Sequence, residues 1–430
     1  MDSREKVGAQ TRRTFITSAT LAGGTLAAAS LMSKAYAAGG DTIKIGWVGC
    51  GGRGTGAAKN ALLADKNVKL VAVGDAFQDR MDSHFGALKK DAKVADKIDV
   101  PADRQFIGFD AYKKVIDSDV DVVLLTTPPG FRPEHIRYAI EKGRHVFAEK
   151  PVAVDGPGIR TVLAAVESAK QKKLSVVSGL CWRYDTGTGG LANHIQDGGL
   201  GDVHTIQTCY NTQDLWSFPR KDGWSDMEYQ MRNWLYYTWL SGDHIVEQNV
   251  HNLDRAAWFM KGEYPTKITS LGGRQSRTEE QFGHIFDHFA TVFEYANGGR
   301  VFSYCRQQKG TDSENRDILF GTKGRAEWGW AESVVTGEKP ATFKGDLGKA
   351  YQTEHDVLFA SIRKGEPVNN GDYMCKSTMM GIGGRMAAYT GKALTWEQVM
   401  ASTEDTMPKK LEFGKLEFPA IAKPGFTKFI

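Results

Sequence analysis

The chain has 430 residues, of which 41% are hydrophobic and 25% charged, the mixture of an ordinary soluble globular protein of about two or three domains. No repeat, coiled coil or low-complexity tract interrupts it. The formal charge of +4 sits mostly at the start: residues 1–37 hold Arg4, Lys6, Arg12, Arg13 and Lys34 against Asp2 and Glu5, a net of +3, which leaves +1 for the remainder and argues against nucleic acid or an anionic membrane as partner.

Thr11-Arg12-Arg13-Thr14-Phe15-Ile16 is a twin-arginine pattern. An uncharged stretch from Ile16 to Met32 follows, and Ala35-Tyr36-Ala37 makes a small-x-small site before Ala38. The pattern predicts export by the twin-arginine translocase, cleavage after Ala37 and a periplasmic or secreted product. The alternative, a membrane anchor, suits the stretch poorly, because it is short and rich in Gly, Ala, Ser and Thr. Five cysteines, Cys50, Cys181, Cys209, Cys305 and Cys375, include no C-x-x-C pair. A twin-arginine substrate folds in the reducing cytoplasm, so scattered thiols are expected rather than a disulfide framework.

Thr42–Val48 reads as a strand, Gly49-Cys50-Gly51-Gly52-Arg53-Gly54 as a glycine loop and Thr55–Leu63 as a helix. A G-x-G-x-x-G loop in that context predicts a dinucleotide site. Gly49 serves the tight turn, Gly51 the approach of backbone to a pyrophosphate, and Gly54 the packing of helix on strand, with the phosphates at the helix N-terminus. Val68–Gly74 is a second strand ending at Asp75, 26 residues after Gly49. A carboxylate there accepts from both ribose hydroxyls and repels a 2′-phosphate, which favours NAD over NADP. The competing reading of the loop alone is a plain glycine turn. Asp121–Thr127 is a strand ending at Pro128, Pro133–Lys142 a helix, and His145–Ala148 a strand ending at Glu149-Lys150-Pro151. In a parallel sheet, ligands bind beyond the carboxyl ends of strands, which puts Thr127, Pro128, Glu149 and Lys150 beside a cofactor. His135, at the start of its helix, reads as structural.

In the second half, Val203–Thr212, Thr266–Arg274, Phe289–Tyr295, Arg300–Arg306, Arg316–Phe320 and Ala326–Trp330 read as strands, with a hairpin turn at Asn297-Gly298-Gly299. Residues 241–254, SGDHIVEQNVHNLD, place His244, Glu247 and His251 at i, i+3 and i+7, one face of a helix. Three readings compete. A metal site needs both imidazoles on one ion, and i to i+7 spans roughly 10.5 Å of helix. Polar residues on an ordinary helix face are the expectation for His244. An acid/base pair is the third, with His251 exchanging the proton of a substrate hydroxyl and Glu247 orienting the imidazole.

The ordered set GCGGRG (49–54), TTPPGFRPEHIRYAIEKGRHVFAEKP (126–151), GLCWRYDTGTGGLANHIQDGGLGDV (179–203), VHNLD (250–254) and AYTGKALTWEQV (388–399) resembles the Gfo/Idh/MocA oxidoreductases. The resemblance implies an α/β protein. A Rossmann domain with a parallel sheet, residues 38–178, would precede a domain of residues 179–430 built on a large, open, mostly antiparallel sheet. It implies a homodimer or homotetramer, a carbohydrate substrate, and catalysis by Lys150 and His251. The family's segment reads roughly G-G-x-L-x-D-x-G-x-H-x-x-D; here Glu247 stands for its Asp and Asn249 for its Gly. Arg183 and Tyr184 match a position near the substrate pocket, against the alternative that they pack the domain junction. Arg232-Asn233-Trp234 sets an aromatic and a cation before the catalytic segment, suited to a sugar ring or to core.

Export bears on the chemistry. A folded protein carries its nucleotide out to a place with no free pool, so a tightly held, recycled NAD is expected. That fits an oxidoreductase acting on a sugar, polyol or glycoside hydroxyl. It also fits a redox-neutral glycoside hydrolase or lyase. A sugar-binding protein with a structural nucleotide is a further alternative.

Overall fold

The computed structural model describes residues 41–430; the expected export signal and its cleavage site lie outside the described residues. Among those described, no helix is long and apolar enough to cross a membrane.

Six strands make the first sheet: β1 (Ile43–Val48), β2 (Val68–Asp75), β3 (Gln105–Ile107), β4 (Val122–Leu125), β5 (His145–Ala148) and β6 (Val176–Ser178). All pairings are parallel and the order is β3-β2-β1-β4-β5-β6. The central strands are runs of β-branched and aliphatic residues because helices cover both faces; Val122–Leu125 is buried at every position. The carboxyl ends of β1, β2, β4 and β5 therefore deliver the glycine loop, Asp75, Thr126–Pro128 and Glu149–Lys150 to one edge.

The second sheet has nine strands: β7 (Val203–Thr212), β8 (Lys267–Gly273), β9 (His288–Glu294), β10 (Arg300–Gln307), β11 (Glu314–Gly321), β12 (Gly324–Trp328), β13 (Glu332–Gly337), β14 (Ala341–Lys344) and β15 (Leu394–Thr395). Their order is β14-β13-β12-β11-β7-β10-β9-β8-β15, with only β7 and β10 parallel. The expected hairpin joins β9 and β10, with Gly298 at φ +81°. Alternation along β9 and β10 buries Phe289, Thr291, Phe293, Val301, Ser303 and Cys305 beneath the turn His244–Glu247 and the helix Gly371–Thr390. On the opposite face the cross-strand rows carry Leu271, Val292, Phe302, Tyr304, Ile318 and Phe320, with Leu271 77% exposed.

The late helix Leu347–Lys364 crosses back to the first sheet. Its Leu358, Phe359 and Ile362 share a core with Ile43, Ile45 and Trp47, and Arg363 makes a bidentate pair with Asp65 at 2.8 Å. Residues 402–430 run without helix or strand, and Phe413 packs against Phe109 and Phe77 with ring centroids 4.9 and 5.6 Å apart. All five cysteines are free thiols.

Candidate active site

A cleft of about 550 Å³ runs from the glycine loop to the segment around His251 and takes its walls from both halves of the chain. At its first end Gly49 has φ +96°, and a Cβ there would stand 2.5 Å from Thr127 N. A Cβ on Gly54 would stand 2.2 Å from the Gly49 carbonyl oxygen. Gly51 and Gly52 would meet nothing within 4 Å, so their free side faces the cleft. These are the requirements of a loop that turns tightly, packs its helix on β1 and leaves room for a pyrophosphate. Asp75 closes this end: its Oδ2 accepts from Cys50 N at 2.6 Å and its Oδ1 from Phe77 N at 2.9 Å. Burial raises its pKa from the ordinary carboxylate value.

Arg53 lines the cleft but directs its guanidinium at protein carboxylates. Nε donates to Glu149 at 2.5 Å and a terminal nitrogen to Glu354 at 3.0 Å, with the group stacked 4.5 Å over the Tyr351 ring. Burial alone would raise the Glu149 pKa, yet Arg53 and Arg132 together pull it below the ordinary value. Burial and the charge of Glu149 push Glu354 well above it. Glu149 thus serves the loop by holding Arg53.

The stretch 241–254 is not one helix. It forms His244–Glu247 and Val250–Phe259, with the ladder interrupted at Gln248–Asn249, where Asn249 N reaches back to the His244 carbonyl at 3.0 Å. The first turn hangs on Asp243, held at φ +77°. The Asp243 carboxylate accepts from His244 N, Phe286 N and the Tyr389 hydroxyl, and burial raises its pKa to about 6. A non-glycine residue in that region persists only where several bonds over-determine it. The break turns Glu247 and His251 to the cleft, while His244 is buried against Phe289. Its two ring nitrogens have no partner and its pKa lies well below 6.5, through burial first and Arg277 second. With the rings on different helices and His244 outside the cleft, they do not converge on an ion.

Lys150, from the first sheet, donates to Glu247 Oε1 at 2.9 Å and to the Glu247 carbonyl at 2.8 Å. The expected Glu247–His251 contact is therefore replaced: the carboxylate grips the ammonium of the other half, and His251 Nδ1 has no partner. Burial, then the charges of Lys150, Arg255 and Arg53, depress the His251 pKa well below 6.5, so its imidazole is neutral and able to take a proton. Thr127 and Pro128 line the middle of the cleft, where Thr127 Oγ1 lies 3.3 Å from Nδ1 of His135, a buried ring stacked on Tyr112.

Trp234 lines the cleft with Trp216, Met231 and Arg232. Three other expected substrate contacts do not. Arg183 makes a bidentate pair with Asp254 at 2.8 Å and lies between the rings of Trp258 and Tyr373. Tyr184 donates to Asn370 at 2.7 Å, and buried Asn249 donates to Ser303 at 3.0 Å. All three are spent inside the second domain, where they tie the turn Cys181–Tyr184 and the segment around His251 to the helices and sheet behind them. Cleft residues not anticipated include Arg80, Arg132, Tyr210, Trp216 and Gln248. Gln248, beside Glu247, and Arg132, inside the motif of 126–151, had a signal in the sequence.

A six-stranded parallel sheet with a glycine loop at β1, and a lysine and a histidine lining the same cleft, define the NAD-binding oxidoreductase class. Residues 43–178 match the oxidoreductase family with an NAD-binding Rossmann fold, and residues 190–327 match the GFO/IDH/MocA C-terminal domain. The chain belongs to the Gfo/Idh/MocA family. It is 24% identical over 340 residues to inositol 2-dehydrogenase of Rhizobium meliloti, covering 76% of this chain and 91% of that protein. In fold it is similar to the aldose-aldose oxidoreductase from Caulobacter crescentus complexed with glycerol, with TM-score 0.65 and 18% identity over 82% of this chain and 99% of that one. It is similar also to a levoglucosan dehydrogenase in complex with NADH and levoglucosan, with TM-score 0.65 and 16% identity over 83% of this chain and 99% of that one.

Proposed function

We propose that the chain oxidises a hydroxyl of a sugar, polyol or glycoside with a tightly held NAD. The observation that carries this is that the Lys150 ammonium and the neutral His251 imidazole, from different halves, line the one cleft that starts at Gly49, with Lys150 held by Glu247 in the turn just before the His251 helix. The open side of Gly51 and Gly52, the Asp75 carboxylate and Thr127–Pro128 would hold the dinucleotide; of the cations that line the Asp75 end, Arg80 and Arg232, the second is engaged by Asp79. When bound, the dinucleotide supplies the hydride acceptor. His251 accepts the hydroxyl proton through its neutral ring. Lys150 spends two of its three N–H bonds on Glu247, which fixes the third toward the oxygen where negative charge grows. Glu247 is the group that holds that ammonium in place.

Two contacts close the adenosine end and support tight retention. Arg232 forms a bidentate pair with Asp79 at 3.0 and 3.1 Å and lies 4.3 Å over the Phe77 ring, and Phe413 covers Phe77 and Phe109. Leu271, Tyr304 and Phe320, exposed on the outer face of the second sheet among its charged pairs, support a homodimer or homotetramer. Incubating the purified protein with NAD and myo-inositol, glucose or levoglucosan tests the reading: absorbance at 340 nm rises with one of them. Release of an aglycone from a glycoside with no net NADH would move the chain to the redox-neutral hydrolases instead.

We also propose export by the twin-arginine translocase to the periplasm, on Arg12-Arg13 and the Ala35-Tyr36-Ala37 site. Osmotic-shock fractionation is expected to recover the product, shortened by cleavage after Ala37, from the periplasm, and Arg12→Lys with Arg13→Lys to retain the uncleaved chain in the cytoplasm. Equal distribution of both forms rejects the route.

A further inference from the structure

Gln248 stands in the break between the two catalytic-segment helices and lines the cleft beside Glu247 and His251. Its amide is held by a relay of buried side chains with a direction of its own. The relay starts at Arg277, which is 1% exposed and whose guanidinium can only donate. One terminal nitrogen donates to the Phe286 carbonyl at 2.6 Å and the other to Gln307 Oε1 at 2.5 Å. With Oε1 of Gln307 committed as acceptor, its Nε2 donates, and it meets Gln248 Oε1 at 2.9 Å. The Thr212 hydroxyl donates to the same oxygen at 3.4 Å. The orientation of Gln248 follows: its oxygen faces the protein, and its Nε2 amide, which bonds to no other described residue, is left for the cleft.

We infer that Gln248 is a specificity-determining residue whose amide N–H donates to a second oxygen of the substrate, on a carbon next to the one oxidised. The inference rests on the sugar or polyol reading above. Beside the His251 imidazole as acceptor and the free N–H of Lys150 as donor, the amide of Gln248 then adds a second donor. That pattern takes vicinal oxygens, as in an inositol or a pyranose. It disfavours a neighbouring ammonium, which has hydrogens to donate and no lone pair to accept, and a deoxy carbon, which leaves the amide unpaired. Gln307 and Arg277 are positioning residues: they touch no substrate but determine which end of Gln248 does.

The test uses the full mature chain loaded with NADH and measures Kd for myo-inositol and glucose by calorimetry, which needs no turnover, with kcat and KM for whichever supports NAD reduction. Gln248→Met keeps the length and removes the donor. It is expected to weaken polyol binding roughly tenfold, as a rise in KM at nearly constant kcat, with NADH affinity unchanged. Gln307→Glu keeps a partner for buried Arg277 yet removes the N–H that holds Gln248 Oε1. Its expected effect is the same KM rise in milder form, about threefold. Polyol binding by Gln248→Met at the wild-type Kd overturns the contact, and a silent Gln307→Glu overturns the relay. A wild-type protein that takes up neither polyol defeats the sugar reading itself, and this inference with it.

Discussion

Replacing His251 by Ala is expected to lower kcat by about 10³-fold, while NADH affinity and Tm stay at wild-type values. Tm is spared because the ring is a cleft residue whose Nδ1 holds nothing, so its removal frees no buried partner. The effect on kcat is large because no other group in the cleft can replace it as base. Glu247 is engaged by Lys150, and the His135 ring sits against Tyr112 with its pKa pushed by burial to about 3. The same assignment fixes a pH dependence. A base works when unprotonated, and the His251 pKa lies well below its ordinary 6.5, so kcat/KM stays level as pH falls through 6.5 and declines only below it. In His251→Ala that acid limb disappears. A limb centred at or above pH 6.5, or an unchanged limb in the variant, shows that another group carries the proton.

The second large effect is at Gly54. Gly54→Ala is expected to cost about 1–3 kcal/mol of stability by overpacking. It should also weaken NADH binding by roughly tenfold or more, because the helix start that meets the phosphates is displaced. The added Cβ would sit 2.2 Å from Gly49 O, 2.6 Å from Thr126 Oγ1 and 2.9 Å from Trp47 Nε1. None of these can yield alone: the Gly49 carbonyl accepts from Thr126 Oγ1 at 2.7 Å, Gly51 N at 3.0 Å and Trp47 Nε1 at 3.1 Å. Gly51→Ala supplies the contrast. Its Cβ meets no protein atom within 4 Å, so it is expected to melt with the wild type and still lose the nucleotide. Differential scanning fluorimetry with and without NADH reads both variants. A Gly54→Ala protein that matches wild type in Tm and Kd would falsify the packing argument.

Much of this site was legible because its signals are local. The glycine loop, Asp75 and Glu149-Lys150 each end a strand whose apolar run is continuous, so register follows from the strand itself. The hairpin at Gly298 and the long strands of the second sheet show clear alternation. The short β3 and β15, and the edge strands β13 and β14, lack an apolar run long enough to read. The helix break at Gln248–Asn249 was hidden because its cause, the Asp243 carboxylate bonded to Phe286 N and Tyr389, is tertiary. The partner of Glu247 was misjudged for a similar reason: one helical turn suggested His251, but an ammonium from 97 residues earlier wins the carboxylate, being charged where the imidazole is neutral. Arg183 carried a motif match, yet Asp254 and two aromatic rings claim it entirely.

The loop that opens the first domain is finished from the far end of the chain. Arg53 completes its second ion pair only with Glu354, 301 residues later, on the helix whose apolar side also seals β1. During synthesis, a nascent polypeptide halted after the sixth strand would own every glycine of the cradle and Glu149, and still lack Glu354, the second group that holds Arg53. The first domain therefore attains its final form only once residues 347–364 have been made and have packed onto it.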